Sequence, residues 1–287
     1  MALRSITSLA LLAVLLTSCA DPSPGGGGSP VPAIAHGTAA DDLVLRWGYE
    51  GGFTPPEYQL TNLPAFSLYG DGTIVRPGPQ MEIYPGPALP ALEVVHVDEA
   101  GVQAMLEAAF GAGIDTLEDL TDMGSVGVAD APETVFTLRA GGVDRSVRVY
   151  ALGEMGGRFP GMPDEEFEAR KALLGLIEDL SSLETWLPEG SVSASEVYEV
   201  TGARAFVAAH TPQADLPQEA IEWPLDTSLR SAGQDAGAGF RCVSVTGEDW
   251  SVLAPAVGQA NQLTPWMSHG RRFSVSFRPL LPDETGC

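Results

Sequence analysis

Leu43, Leu45, Trp47 and Tyr49 alternate with Val44, Arg46 and Gly48. That is the period of a strand with one buried face, and Gly51-Gly52 closes it. Ala65 to Tyr69 and Thr73 to Val75 flank Gly70-Asp71-Gly72 and predict a β-hairpin with a tight turn. The proline-rich stretch from Pro77 to Pro90 reads as an ordered loop. Asp98 is placed to cap a helix whose Val102, Met105, Leu106, Ala109 and Phe110 share one face, with Gly111 and Gly113 as its stop. Val135 to Leu138 and Val147 to Tyr150 predict a second hairpin turning at Gly141-Gly142. A second helix beginning near Asp164 carries Leu173, Leu176, Ile177, Leu180 and Leu183 inward. The order β-ββ-α-ββ-α predicts an α+β fold, an antiparallel sheet packed on one face by two helices.

After Pro188 the pattern loosens and a smaller α+β unit is expected. Val197 to Ala208 is rich in β-formers around Thr201-Gly202, and Arg241 to Val245 and Arg272 to Phe277 alternate as strands. Trp250, Leu253, Ala254 and Val257 have helical spacing, but Pro255 removes a backbone donor there. A kink is therefore expected, or a helix that begins only at Pro255. The pattern leaves open whether this unit is a separate domain or an extension of the first sheet.

The amino terminus predicts an address. Arg4 precedes an apolar run from Ile6 to Leu16 that is too short to span a bilayer, which makes a transmembrane helix the weaker reading. The run ends in Leu16-Thr17-Ser18-Cys19, which resembles the lipobox of bacterial lipoproteins. In that family the cysteine thiol receives a diacylglyceryl group and the signal is cut just before it. The alternative is an ordinary secretory signal with a cysteine at the cleavage site. The organisation expected is thus residues 1–18 as signal peptide, 19–41 as a flexible Pro/Gly-rich tether, 42–187 as the α+β domain and 188–287 as the smaller unit. A tether of that composition reaches about 25 Å. The resemblance implies lipidation at Cys19 and a body held at the cell membrane, facing outside.

That location changes the meaning of the cysteines. With Cys19 acylated, Cys242 and Cys287 remain, and an oxidising exterior permits a disulfide between them. The alternative is two free thiols. No C-x-x-C pair suggests a zinc ribbon or a thioredoxin-like site.

Charge narrows the partners. The 287 residues carry 15 Lys plus Arg against 38 Asp plus Glu, a net charge of -23, which repels nucleic acid. Lys171 is the only lysine. Beside Arg170, Glu165, Glu166 and Glu168 on an exposed helix, it lacks the burial or cationic neighbour that activates a catalytic lysine.

The search for reactive groups gives little. His36, His96, His210 and His269 are scattered, with His36 in the tether, so no metal and no cofactor is expected. Asp71 between two glycines reads as turn chemistry. Gly124-Ser125-Val126-Gly127 lacks the first glycine and the strand of a nucleophile elbow, and Ser268-His269 are neighbours only in sequence. Asp115, Glu118, Asp119 and Asp122 form an acidic loop read as solvation, and Asp130 before Pro132 reads as a turn. Trp47, Trp186, Trp223, Trp250 and Trp266 could line a ligand groove but have core spacing.

Four segments carry a further resemblance: Gly51-Gly52-Phe53, Tyr69-Gly70-Asp71-Gly72-Thr73, Ala129-Asp130-Ala131-Pro132-Glu133-Thr134, and Arg278-Pro279-Leu280-Leu281-Pro282-Asp283-Glu284. Together they resemble a group of uncharacterised lipoproteins of high-GC Gram-positive bacteria, over about residues 42 to 285. The resemblance implies a surface location and an α+β body, and it brings no reaction, ligand or catalytic residue. The expectation is a membrane-anchored extracytoplasmic lipoprotein acting as a non-catalytic binding or interaction module for an envelope protein or cell-wall component. The alternatives are a cell-envelope hydrolase using a carboxylate pair and a small-ligand binder with an aromatic pocket.

Overall fold

A computed structural model describes residues 32–122, 128–154 and 158–287. The signal peptide, Cys19, most of the tether and the Gly124 to Gly127 segment lie outside the described residues.

The first sheet is built from β1 (Leu43–Gly51), β2 (Phe66–Tyr69), β3 (Thr73–Pro77), β4 (Leu92–His96), β5 (Pro132–Ala140), β6 (Val143–Tyr150) and the short β7 (Glu196–Val197). All neighbours are antiparallel, in the order β6-β5-β1-β2-β3-β4-β7. Helices α2 (Glu99–Gly111) and α3 (Asp164–Ser181) cover one face, and short turns α1 (Pro56–Thr61) and α4 (Leu183–Trp186) complete the unit. Leu45, Trp47, Phe66, Leu68, Phe136 and Leu138 meet Met105 and Leu106 of α2 and Leu173, Leu176 and Leu180 of α3 in one core. This is the expected mixed α+β arrangement.

Local chemistry explains why these segments take these shapes. The Asp98 carboxylate accepts the Gly101 N–H at 2.9 Å, satisfying a donor that the first turn of α2 leaves free. In the β2–β3 turn the Asp71 carboxylate accepts the Thr73 N–H at 2.9 Å. Gly72 has φ +84, and a Cβ there would strike the Val97 carbonyl, so this position requires glycine.

β1 departs from simple alternation. Its register shifts between Leu43 and Leu45, a bulge that turns Val44 and Leu45 both toward the helix-covered core. Leu43 is left on the opposite face with Tyr69, Val75 and Leu92, where Leu281 from the end of the chain packs against them.

The tether ends earlier than the pattern implied. Ile34 packs against the first core, and the Gln103 side chain bonds both its N–H (2.7 Å) and its carbonyl (2.9 Å). His36 bridges to Ala140, and its ring lies 3.2 Å from Glu99. The chain has therefore joined the body by residue 34, ahead of the boundary placed at 41, because Gln103 and the end of β5 supply partners that the sequence does not reveal.

The second sheet has the order β10-β11-β8-β13-β12-β9, from β8 (Gly202–Ala209), β9 (Ile221–Glu222), β10 (Gln234–Gly237), β11 (Phe240–Thr246), β12 (Pro265–Ser268) and β13 (Arg271–Pro279). Its one parallel pair is β12 with β9. Helix α5 (Gly247–Val257) lays Trp250, Leu253 and Val257 on it, forming a core separate from the first. The crossover between sheets falls after β7, which pairs with β4, and not at Pro188. Helix α5 starts at Gly247, earlier than Pro255. The proline sits in its last turn, where its missing N–H costs a single bond.

Cys242 on β11 and Cys287 are disulfide-bonded, with Cα atoms 6.0 Å apart. The bond ties the end of the chain to the second sheet. Reducing it is expected to lower the unfolding free energy by about 2–4 kcal/mol through the freedom returned to the unfolded chain. Urea unfolding with and without a phosphine reductant measures this, and coincident curves would show that the bond contributes nothing.

Candidate functional site

The face of the first sheet left uncovered by α2 and α3 forms one wall of an open cleft of about 750 Å³. Arg46 projects from β1 and Val135 and Thr137 line the wall from β5. Arg204 of β8, Arg278 of β13 and Glu284 close the cleft from the second sheet. The third side is the strap from Gly51 to Pro64, which includes α1. Asn62 fastens the far end of that strap. Its amide donates to the Tyr49 carbonyl, and its own carbonyl accepts the Arg278 Nε–H at 2.8 Å. Ser276 of β13 donates to Glu57 of α1, and the Phe53 N–H is held by the Asp130 carbonyl at 3.1 Å.

The inner end is a lattice of guanidinium and carboxylate groups. Arg46 gives Nη2 to Asp283 at 2.6 Å and to the Tyr69 hydroxyl at 3.1 Å, and Nε to Ser67 at 2.9 Å. Tyr69 in turn donates to Asp283 at 2.8 Å. Arg278 reaches Glu284 at 2.6 Å, and the Leu281 N–H caps the same oxygen at 3.0 Å. Arg204 donates Nε to the Gly286 carbonyl at 2.8 Å and stands 3.7 Å from Glu284.

Burial and these partners set the protonation states. Burial alone pushes the Asp283 carboxyl up, but the hydrogen bond and charge of Arg46, with the Tyr69 hydroxyl, outweigh it and hold the group below the ordinary carboxylate value. Burial also keeps the proton on Tyr69, and it pushes Tyr198, whose hydroxyl donates to the Leu280 carbonyl at 3.0 Å, up to about 12. Arg204 is drawn down, mainly by burial, whereas Arg46 is raised because Asp283 overcomes the same effect.

The outer end is aromatic. Tyr49, Phe53 and Tyr58 line it and are exposed, Phe53 by 87%. Tyr49 stands edge-on to Trp47, with ring centroids 5.6 Å apart. The tryptophans lie elsewhere: Trp47, Trp223, Trp250 and Trp266 are buried, and Trp186 packs against the first core. The aromatic wall of the cleft thus comes from tyrosine and phenylalanine, which the sequence reading passed over. The available signal was the density of rings among glycines and prolines from Trp47 to Tyr58.

The other sequence candidates are dispersed. His96 lies 3.2 Å from Thr73 and His210 3.2 Å from Ser274. Ser268 stands 3.3 Å from His269 Nδ1, but its oxygen also takes the Leu229 N–H, and among the described residues no carboxylate holds the ring. No three His, Cys, Asp or Glu side chains among the described residues gather where a metal could sit. The acidic loop is docked and not merely solvated, since Arg145 binds the carbonyls of Asp115 (2.8 Å) and Leu117 (2.5 Å), and Asp119 accepts the Arg148 N–H at 2.9 Å.

All four segments quoted for the family resemblance meet here: Gly51 to Phe53 and Asp130 with Pro132 line the cleft, Tyr69 holds Asp283, and Arg278 and Glu284 close its inner end. Comparison with known proteins found no matching family model, no matching curated protein and no matching solved structure. Among the described residues, no helix is long and apolar enough to cross a membrane.

Proposed function

We propose that the protein is a lipid-anchored extracytoplasmic binding module, held to the membrane through Cys19, whose cleft between the two sheets receives a small ligand or an exposed group of an envelope component. The observation that carries the binding reading is the cleft itself: about 750 Å³, within the range of ligand sites, with exposed rings at one end and charged groups fixed by hydrogen bonds at the other. Pre-fixed polar groups favour binding because little side-chain freedom remains to be lost. Two of the three carboxylates lining the cleft do not favour the hydrolase reading. Glu284 is bound by Arg278, and Glu50 by Arg148 at 2.7 Å. A general acid or base needs a proton site that substrate can reach.

The anchor rests on the Leu16-Thr17-Ser18-Cys19 segment. Replacing residues 1–19 by an ordinary secretory signal that is cut off without lipidation is expected to shift the protein from the membrane pellet to the soluble fraction, because the two acyl chains that hold it are then absent. Fractionation and intact mass measure this. A chain that stays with the membrane after the replacement, or carries no diacylglyceryl mass before it, would overturn the anchor.

A further inference from the structure

The geometry points to a specific ligand class for this cleft: a small organic oxyanion, a carboxylate or phosphate ester, whose charged end sits against Arg204, Arg278 and Arg46 and whose apolar body lies along Phe53 and Tyr58. The inference rests on the binding reading above and deepens it.

Three guanidinium groups converge at the inner end, and two carboxylates, Asp283 and Glu284, answer them. One positive charge is left over, in a place where the side chains are mostly covered, on a chain whose net charge is -23. An excess buried charge is costly, and an oxyanion would balance it. Donors are free to meet one. Arg46 spends Nε and Nη2, Arg278 spends Nε and Nη1, and Arg204 hydrogen-bonds only through Nε. Among the described residues, Nη1 of Arg46, Nη2 of Arg278 and Nη1 of Arg204 make neither a hydrogen bond nor an ion pair, while Nη2 of Arg204 stands 3.7 Å from Glu284. Arg278 is more than nine-tenths buried and fixed by three acceptors, so its orientation survives without a ligand.

Glu284 shows that the geometry suits a carboxylate, since it already sits 2.6 Å from Arg278. The planar fork of arginine matches carboxylate and phosphate alike. The outer rings exclude a bare inorganic ion as the best fit, because they offer stacking area that only an organic body can use. Of the acidic groups at the rim, Glu50 shares Arg148 with Glu133, and Asp130 contributes its carbonyl to the Phe53 turn, so the surplus positive charge belongs to the inner end alone.

The test uses the chain exported behind that unlipidated signal and three water-soluble probes of similar size: phenylacetate, phenyl phosphate and the neutral phenylacetamide, titrated by calorimetry. At least one anion is expected to bind about tenfold more tightly than the amide, and the stronger of the two identifies carboxylate or phosphate as the preferred source. Arg204→Gln is expected to weaken the anions more than the amide and so reduce that preference. Phe53→Ala, at an exposed position, should weaken all three about threefold. The preference in the unsubstituted cleft stands as a test even if the Arg204 variant does not fold. Equal affinity for amide and anions, sensitive to Phe53→Ala, would overturn the oxyanion inference and leave the binding reading standing. No binding of any probe would overturn both.

Discussion

Arg170→Met is expected to lower the unfolding free energy by about 3–5 kcal/mol, while Lys171→Met, one position along the same helix, should stay within about 0.5 kcal/mol. The Arg170 side chain is wholly buried. It gives Nε to Glu166 at 2.9 Å, Nη1 to the Tyr150 carbonyl at 2.9 Å and Nη2 to the Leu120 carbonyl at 3.2 Å, with Phe159 5.5 Å from the guanidinium carbon. Methionine fills similar volume, so the loss is chiefly that of the donors, leaving Glu166 without its cation and removing one donor from each of two partly buried carbonyls. Lys171 is exposed and pairs with Glu168 at 3.5 Å, a surface contact of small worth. Urea denaturation of both variants decides it. Hydrogen exchange adds a local readout, because Arg170 pins Leu120 and its loss should speed exchange around residues 115–121. Similar midpoints for the two variants would refute the assignment.

The second large effect belongs to Arg46→Met, also about 3–5 kcal/mol at neutral pH, because it strands Asp283 in a mostly buried place. Its pH dependence carries a sign that packing loss alone does not produce. In the intact protein the Asp283 carboxyl is held below its unfolded value of about 3.9, so its contribution is complete above that pH and fades as pH falls through the folded value. Without Arg46, burial raises the same group, and protonation then relieves the folded state. The difference between variant and parent should therefore shrink as pH is lowered from 7 toward 3. Urea midpoints across that range measure it, and a difference constant with pH would show that the pair is not energetically linked.

These two arginines mark what the sequence does and does not convey. The hairpins around Asp71-Gly72 and Gly141-Gly142, the Asp98 cap and the faces of α2 and α3 are legible because each depends on residues a few positions apart. Arg170 reads as one more charge on a polar helix, since the carbonyls that take its protons come from distant segments. Arg46 meets Asp283 across nearly the whole chain, and β7 joins the first sheet although it follows the loosened stretch after Pro188. The bulge at Val44 hides a change of face inside an unbroken apolar run. Of the site, the turn glycines and the terminal Arg278 to Glu284 segment were visible as motifs, but their meeting was not. That meeting depends on the end of the chain returning across the uncovered face of the first sheet.

The position of Lys171 has a practical consequence. It stands exposed on α3, and α3 packs on the face of the first sheet opposite the cleft wall. Apart from the backbone amine at the start of the chain, it is the one primary amine in the sequence. A dye or sensor chip coupled by an active ester would thus have two places to attach, the amine at the start of the chain and Lys171, and coupling through Lys171 leaves the opening facing the passing solution.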